Sequence, residues 1–158
     1  MKNLQVAGFL DNSAVNGEGL RSVVFLSGCL HQCPGCHNKD MQDPCYGENI
    51  STEEVLSRIK DNIPLITGVT ISGGEPLLQG PTLLHLLKKI KSLSLNCWVY
   101  TGFTYEEISN HKDYKQLLPW IDVLVDGPFK QELLTYDIPY IGSTNQRIMR
   151  LTCPTEKQ

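Results

Sequence analysis

The sequence contains neither a long apolar run nor an excess of positive charge. Its most apolar segments, such as SVVFLSG over residues 22–28, are far shorter than the roughly 18 residues that a membrane span requires. The opening MKNLQVAGFLDNS also lacks the layout of a signal peptide. With a net charge of -3, the chain has no basic footprint of the kind that nucleic-acid binding leaves. We therefore expect a cytoplasmic protein that binds neither membranes nor nucleic acids.

Internal repeats, low-complexity tracts and long charged runs are also missing from the sequence. Its 158 residues, of which 41% are hydrophobic and 20% charged, suit one globular domain with a hydrophobic core. We expect a single domain over residues 1–158.

Strand-like and helix-like apolar segments alternate along the chain. Short apolar, β-branched runs predict buried strands, and capping boxes predict helix starts at Ser51 and Thr104. The predicted strands are 22–28, 68–74, 96–102 and 121–127, and the predicted helices are 51–61, 81–93 and one that follows Thr104. Such alternation favours an α/β fold. A complete eight-fold barrel needs at least about 200 residues, so we expect a partial (β/α) barrel of about five to six mostly parallel strands.

Residues that could bind a ligand or take part in a reaction follow several of these predicted strands. Cys29, the segment from Gly73 to Glu75, Thr101 and Asp126 all fall at strand ends. Because active groups in parallel folds lie at the carboxyl ends of strands, we expect these residues to converge on one site. Gly73 and Gly74 would let the backbone approach a ligand and leave N–H groups free. An ordinary turn between a strand and a helix would also explain the two glycines.

Three of the six cysteines are closely spaced. Cys29, Cys33 and Cys36 fall within eight residues, whereas the scattered cysteines are Cys45, Cys97 and Cys153. Three thiolates from one loop suit an iron-sulfur cluster that lacks a fourth protein ligand. They equally suit a structural zinc site completed by His31, His37 or Cys45. The spacing alone leaves both interpretations open.

The residues around the cysteines favour the iron-sulfur cluster. SGCLHQCPGCHNKD carries a C-x3-C-x2-C pattern that resembles the signature of radical S-adenosylmethionine (SAM) enzymes, and SGGEP at 72–76 is similar to their SAM-binding motif. The resemblance implies that Cys29, Cys33 and Cys36 hold a [4Fe-4S] cluster whose fourth iron is chelated by the amino and carboxylate groups of SAM. It also implies cofactor-binding positions at Gly35, Cys36, His37, Gly73, Gly74 and Glu75. Of these, His37 is expected near the adenine and Glu75 near the SAM amino group.

A second resemblance covers nearly the whole chain. NGEGLRSVVFLSGC (16–29) is similar to the segment before the cluster in glycyl-radical activating enzymes. CHNKD, WVYTGF, VLVDGPF and GSTNQR further resemble the activases of anaerobic ribonucleoside-triphosphate reductases. This implies one electron from reduced flavodoxin or an equivalent donor, cleavage of SAM to methionine and a 5′-deoxyadenosyl radical, and abstraction of a glycine Cα hydrogen from the reductase large subunit. The alternatives are a radical SAM enzyme with another glycyl-radical partner or a small-molecule substrate, and a non-catalytic zinc or iron-sulfur module.

Several residues have weaker assignments. By resemblance to related activases, Thr101 and Asp126 would hold a monovalent cation near the SAM carboxylate, although Asp126 would equally suit a turn. Residues considered for contacts with SAM or the partner are Arg21, Asn38 and Lys39. The polar group Asn145, Gln146 and Arg147 suits either partner contact or a final loop or strand. Residues expected to be structural or solvated are Cys45, Cys97, Cys153, His85 and His111.

Overall fold

The computed structural model describes residues 2–36 and 39–151. Within them one sheet of seven strands has the order β3-β1-β2-β4-β5-β6-β7. The strands are β1 Asn3–Ser13, β2 Arg21–Leu26, β3 Glu48–Ser51, β4 Gly68–Gly73, β5 Asn96–Tyr100, β6 Val123–Asp126 and β7 Arg147–Arg150. The neighbouring pairs among β2, β4, β5 and β6 are parallel, and the remaining pairs are antiparallel.

This sheet confirms the α/β class and corrects the predicted strand count and direction. It has seven strands among the described residues instead of five or six, and its pairings divide evenly between parallel and antiparallel. The four parallel strands are those that the sequence predicted. The strands that it missed, β1, β3 and β7, are short or largely exposed, so they lack the continuous apolar pattern of a buried strand.

Three α-helices accompany the sheet in the described part of the chain: α1 Thr52–Lys60, α2 Gly80–Ser92 and α3 Tyr105–Ser109. The Ser51 side chain accepts a hydrogen bond from the Glu54 N–H at 3.1 Å and so caps α1. The predicted capping box of Thr104 and Glu107 is present in both directions. No helix among the described residues is long and apolar enough to cross a membrane.

The main core lies between one face of the sheet and the helices. Successive side chains along a strand point to opposite faces of the sheet. The apolar side chains on one face pack against α1 and α2. The buried core residues of α1 and α2 are Val55, Ile59, Leu83, Leu86, Leu87 and Ile90. On the other face, Trp98, Val123 and Val125 form a smaller cluster with Tyr140 and Ile141.

Arg21 has a structural role within the sheet. The prediction that it contacts SAM or a partner is therefore wrong. Its side chain is fully buried at the start of β2, at the opposite edge of the sheet from the cysteine loop. The guanidinium donates to the Thr70 hydroxyl at 2.7 Å and to the Val69 carbonyl at 2.9 Å, and it lies over the Trp98 ring. Burial lowers the pKa of Arg21 to about 10.

Candidate iron-sulfur and SAM site

A cavity of about 260 Å³ opens where the four parallel strands end. Its lining residues include Cys29, Cys33, Cys36, Gly73, Gly74, Thr101 and Gly102. The structure therefore brings together the residues that the sequence placed at the ends of β2, β4 and β5. At the end of β6 it is Gly127, next to Asp126, that lines the cavity.

The cysteine loop follows β2, and backbone hydrogen bonds hold its beginning at Gly28 and Cys29. The N–H of Gly28 donates to the Met41 carbonyl at 2.6 Å, and the N–H of Cys29 donates to the Gln42 carbonyl at 3.1 Å. Gly35 has a φ of 75°, a left-handed conformation that glycine adopts without strain, between Cys33 and Cys36. His37, predicted near the adenine, lies outside the described residues, as does Asn38.

The three thiols have the chemistry that a cluster requires. All three are half-buried, and none of them forms a disulfide. Burial raises the pKa of the Cys29 thiol, and the nearby Glu75, Cys33 and Cys36 raise it further. A positively charged iron centre would relieve this unfavourable crowding of negative groups, because it stabilises thiolates.

The described donors do not by themselves form a zinc site, and His37, one of the possible zinc ligands, lies outside the described residues. A zinc site needs four donors within about 2.3 Å of one point. In the described part of the chain no group of three or more His, Cys, Asp or Glu side chains is close enough to surround one ion. A cubane cluster spreads its thiolates over separate irons and does not require such convergence. Of the possible fourth zinc ligands, His31 is bound to Glu75, and Cys45 is exposed.

The glycine-rich turn after β4 packs directly against the cysteine loop. A Cβ atom on Gly74 would lie 2.5 Å from the Gly28 carbonyl oxygen and 2.7 Å from that of Met41. The N–H of Gly74 donates to the Leu26 carbonyl and the N–H of Glu75 to the Gly28 carbonyl. The free N–H groups predicted for this turn are thus already used at Gly74 and Glu75, and the two glycines serve close packing of two backbone segments.

The Glu75 carboxylate is buried and accepts hydrogen bonds from four protein donors. They are His31 Nε2 at 2.6 Å, the Thr101 hydroxyl at 2.8 Å, the Gly102 N–H at 2.8 Å and the Leu77 N–H at 3.1 Å. The hydrogen bond to Glu75 raises the pKa of His31. Because a carboxylate has about four acceptor sites, the predicted contact with the SAM amino group would require one of these donors to leave.

The two residues predicted to hold a cation also have protein partners. The buried Asp126 carboxylate accepts from the Tyr105 N–H at 2.7 Å and pairs with the Arg147 guanidinium. The Thr101 hydroxyl donates to Glu75 and accepts from the Phe103 N–H. Asp126 therefore helps to begin α3 and to attach β7, and its carboxylate is turned to those elements.

The polar group near the end of the described chain holds a loop together. Gln146 accepts from the Gly142 N–H at 2.8 Å and donates to the Gly127 carbonyl at 3.0 Å. Asn145 donates to the Pro128 carbonyl at 2.8 Å. Arg147 is the first residue of β7. The contacts of this group therefore agree with its interpretation as a loop and a final strand.

The remaining assigned residues lie apart from the cavity. Lys39 begins an exposed 3-10 helix, and Cys97 is fully buried, which raises the pKa of its thiol to about 12. His85 lies 3.7 Å from Glu53 on α1, and His111 accepts backbone N–H bonds from its own turn. Cys153 is outside the described residues.

Sequence reasoning did not assign to the SAM site several residues that line the cavity, among them His31, Tyr100 and Phe129. His31 had been considered only as a zinc ligand, although its position between two cysteines places it in the same loop. Tyr100 lies two residues after Trp98, so the alternation of β5 could have predicted that both face the smaller cluster. Phe129 carries no local signal, because its place depends on the loop after β6.

Comparison with known proteins agrees with this site. The family model described as a 4Fe-4S single cluster domain matches residues 15–149. An anaerobic ribonucleoside-triphosphate reductase-activating protein from Pasteurella multocida is 38% identical over 146 residues, covering 87% of this chain and 92% of the relative. Its counterpart from Haemophilus influenzae is 35% identical over 149 residues, covering 90% and 95%. That of Enterobacteria phage T4 is 31% identical over 141 residues, covering 85% and 86%.

A solved structure shows the same fold at lower similarity. The crystal structure of QueE from Escherichia coli superposes with a TM-score of 0.52 at 18% identity, covering 65% of this chain and 53% of that chain. The α/β sheet, the cysteine loop and the match to the cluster family define a radical SAM enzyme that uses a 4Fe-4S cluster and SAM. More narrowly, the chain belongs to the family of anaerobic ribonucleoside-triphosphate reductase-activating proteins.

Proposed function

We propose that this protein is a glycyl-radical activase whose substrate is the large subunit of an anaerobic ribonucleoside-triphosphate reductase. The observation that carries the proposal is the convergence of three half-buried cysteine side chains and a glycine-rich turn on one cavity. The extent and names of the relatives support the choice of partner. A small-molecule substrate has no comparable support.

Within this function, Cys29, Cys33 and Cys36 would hold the [4Fe-4S] cluster. The cluster held by these thiolates would supply the reductive cleavage of SAM to methionine and a 5′-deoxyadenosyl radical, with one electron from reduced flavodoxin or an equivalent donor, for abstraction of a glycine Cα hydrogen. The protein's own contribution is to position SAM and to exclude water from the cavity.

SAM would occupy the cavity that the cysteine loop shares with the ends of β4 and β5. Backbone around Gly35 and Cys36 would bind one part of SAM, with His37 beside the adenine, while Gly73 and Gly74 would bind the methionine part. Thr101, at the end of β5, would line the same pocket. Glu75 would act mainly from behind the pocket, because its carboxylate is already bound by four protein donors.

The wider context follows from the same proposal. We infer that the sheet curves as a partial barrel, with an open side that admits a glycine-bearing loop of the reductase, and that residues 1–158 act as one domain. Reduced thiols and a reduced donor suit the cytoplasm. The net charge of -3 offers no attraction for nucleic acids or anionic membranes.

A monovalent cation at Thr101 and Asp126 stays a prediction of the family resemblance. It would have to compete with Arg147 and the Tyr105 N–H for the Asp126 carboxylate. Titrating potassium into the cluster-loaded protein should tighten SAM binding if the cation exists. An affinity for SAM that is the same in potassium and in a bulky organic cation would rule it out.

The proposed function can be tested by anaerobic electron paramagnetic resonance of the reconstituted protein with SAM, a reductant and a candidate anaerobic reductase. A control without SAM and a Cys33→Ala variant should give no glycyl radical signal. We expect a glycyl radical signal that depends on SAM. Accumulation of 5′-deoxyadenosine without that signal would retain the radical SAM chemistry and reject the partner, and absence of both would reject the activase.

A further inference from the structure

His31 makes a short side-chain contact between the cysteine loop and the rest of the site. This residue lies two positions from both Cys29 and Cys33, and its Nε2 is 2.6 Å from Glu75 Oε1. An ionised carboxylate only accepts, so the ring nitrogen donates. A hydrogen bond of this kind, with a charged acceptor, is about twice as strong as a neutral one.

The imidazole ring is also flanked by an aromatic ring and by backbone. The Phe103 ring meets it edge to face, with 4.6 Å between the centroids. A Cβ atom on Gly102 would lie 2.6 Å from the His31 ring, so the backbone after β5 passes directly beside the imidazole. Gly102 also donates its N–H to Glu75 at 2.8 Å. The ring thus sits in a close-fitting slot built by the ends of β4 and β5.

Glu75 is anchored independently of His31. It is 1% exposed and is held by the Thr101 hydroxyl and by the N–H groups of Gly102 and Leu77. Its own N–H donates to the Gly28 carbonyl at 2.6 Å. The carboxylate therefore has three donors outside the cysteine loop and is a fixed point to which His31 attaches that loop.

We propose that His31 is a positioning residue that latches the cysteine loop to Glu75, in the slot formed by Gly102 and Phe103. The latch sets where Cys29 and Cys33 stand relative to the turn of Gly73 and Gly74. This inference rests on the proposed function, because the position of the cysteines relative to the turn matters only if the cysteines hold the cluster and the turn binds SAM. The latch itself is a property of the protein without its cluster.

The test compares hydrogen exchange of residues 28–36 in the cluster-free protein for His31→Leu, His31→Gln and Glu75→Gln. Leu keeps apolar bulk against Phe103 without a donor, and Gln restores an N–H donor. Loss of a hydrogen bond to a charged group should raise local opening about tenfold or more. We expect faster exchange in His31→Leu, partial recovery in His31→Gln, and an increase in Glu75→Gln.

His85→Leu is the matched control, because His85 also faces a carboxylate, that of Glu53, but at 3.7 Å and on an exposed helix surface. Exchange of residues 28–36 should be unchanged in this variant. Should Glu75→Gln fail to fold, the two His31 variants decide, since that side chain is 18% exposed and its replacement leaves the core intact.

A spectroscopic readout separates positioning from general stability. The reduced cluster of His31→Leu should show an altered paramagnetic resonance spectrum and a smaller change on SAM addition, with the unfolding midpoint close to wild type. Exchange and spectra identical to wild type in His31→Leu would overturn the latch. Failure of the proposed function would appear differently, as wild-type protein that forms no 5′-deoxyadenosine while the exchange differences persist.

Discussion

Replacing Gly73 by alanine should strongly destabilise the protein even without its cluster. Gly73 has a φ of 115°, and a Cβ atom there would lie 2.3 Å from the carbonyl oxygen and 2.4 Å from the nitrogen of Leu26. Neither atom can move easily, because both belong to β2, the strand paired with β4. The added methyl group therefore meets backbone that cannot give way.

The magnitude follows from two costs. A left-handed conformation costs a residue with a Cβ atom about 1–2 kcal/mol. Overpacking against a rigid neighbour costs about 1–3 kcal/mol more. Together they remove about 2–5 kcal/mol from a free energy of unfolding that is about 5–15 kcal/mol for a typical domain. At about 2–4 °C per kcal/mol for a chain of this size, the melting temperature should fall by about 4–20 °C.

Gly80→Ala is the matched control for this prediction. Gly80 begins α2 with a φ of -48°, and an added Cβ atom would meet no atom of the described residues within 4 Å. Alanine should there stabilise the protein by about 0.4–1 kcal/mol, because it restricts the unfolded chain. Urea unfolding of both cluster-free variants, followed by circular dichroism, measures the two changes. Equal stability of Gly73→Ala and Gly80→Ala would refute the reasoning.

Other substitutions separate ligand, structural and solvent-exposed groups. Cys33→Ala should lose iron and SAM cleavage while keeping its α/β circular dichroism, whereas Cys45→Ser should keep a full complement of iron; equal iron in both would remove Cys33 from the ligand set. Asp126→Asn should cost about 1.5–3 kcal/mol in urea unfolding, because a donating amide replaces an oxygen that accepts from a guanidinium. Glu106→Gln, which removes an exposed partner of the same guanidinium, should leave the midpoint nearly unchanged. Because burial raises the pKa of Cys29, its alkylation in the cluster-free protein should reach half its maximal rate at a higher pH than that of a free cysteine; a midpoint at or below the free value would contradict this.

The parts of the fold that were predicted correctly are set by local sequence. The four parallel strands are apolar, β-branched runs, and the starts of α1 and α3 are encoded by a capping residue and a glutamate three positions later. The antiparallel strands β1, β3 and β7 include both edges of the sheet, and their exposed faces carry polar residues. No local pattern distinguishes them from loops.

Within the candidate site, residue type predicted which segments would meet but not what each side chain would do. Glu75 follows two glycines at a strand end, which suggested a ligand contact, yet its donors come from three different segments of the chain. Arg21 has a side chain that is ordinarily exposed. Its burial depends on carbonyl oxygens at the starts of β4 and β5, which only the register of the sheet brings together.

The carboxylates of Glu75 and Asp126, near the ends of the parallel strands, are bound by protein donors. Glu75 joins the loops that follow β2, β4 and β5, and Asp126 joins α3 to β7. A carboxylate facing the cavity would repel both the carboxylate of SAM and the thiolates of a cluster. With Glu75 and Asp126 directed into buried hydrogen bonds, the cavity is lined by thiols, main-chain groups, aromatic rings and uncharged polar side chains such as Ser72 and Gln146. The same two carboxylates, Glu75 and Asp126, thus fix the loops around the cavity and are directed away from the ligands that the cavity would hold.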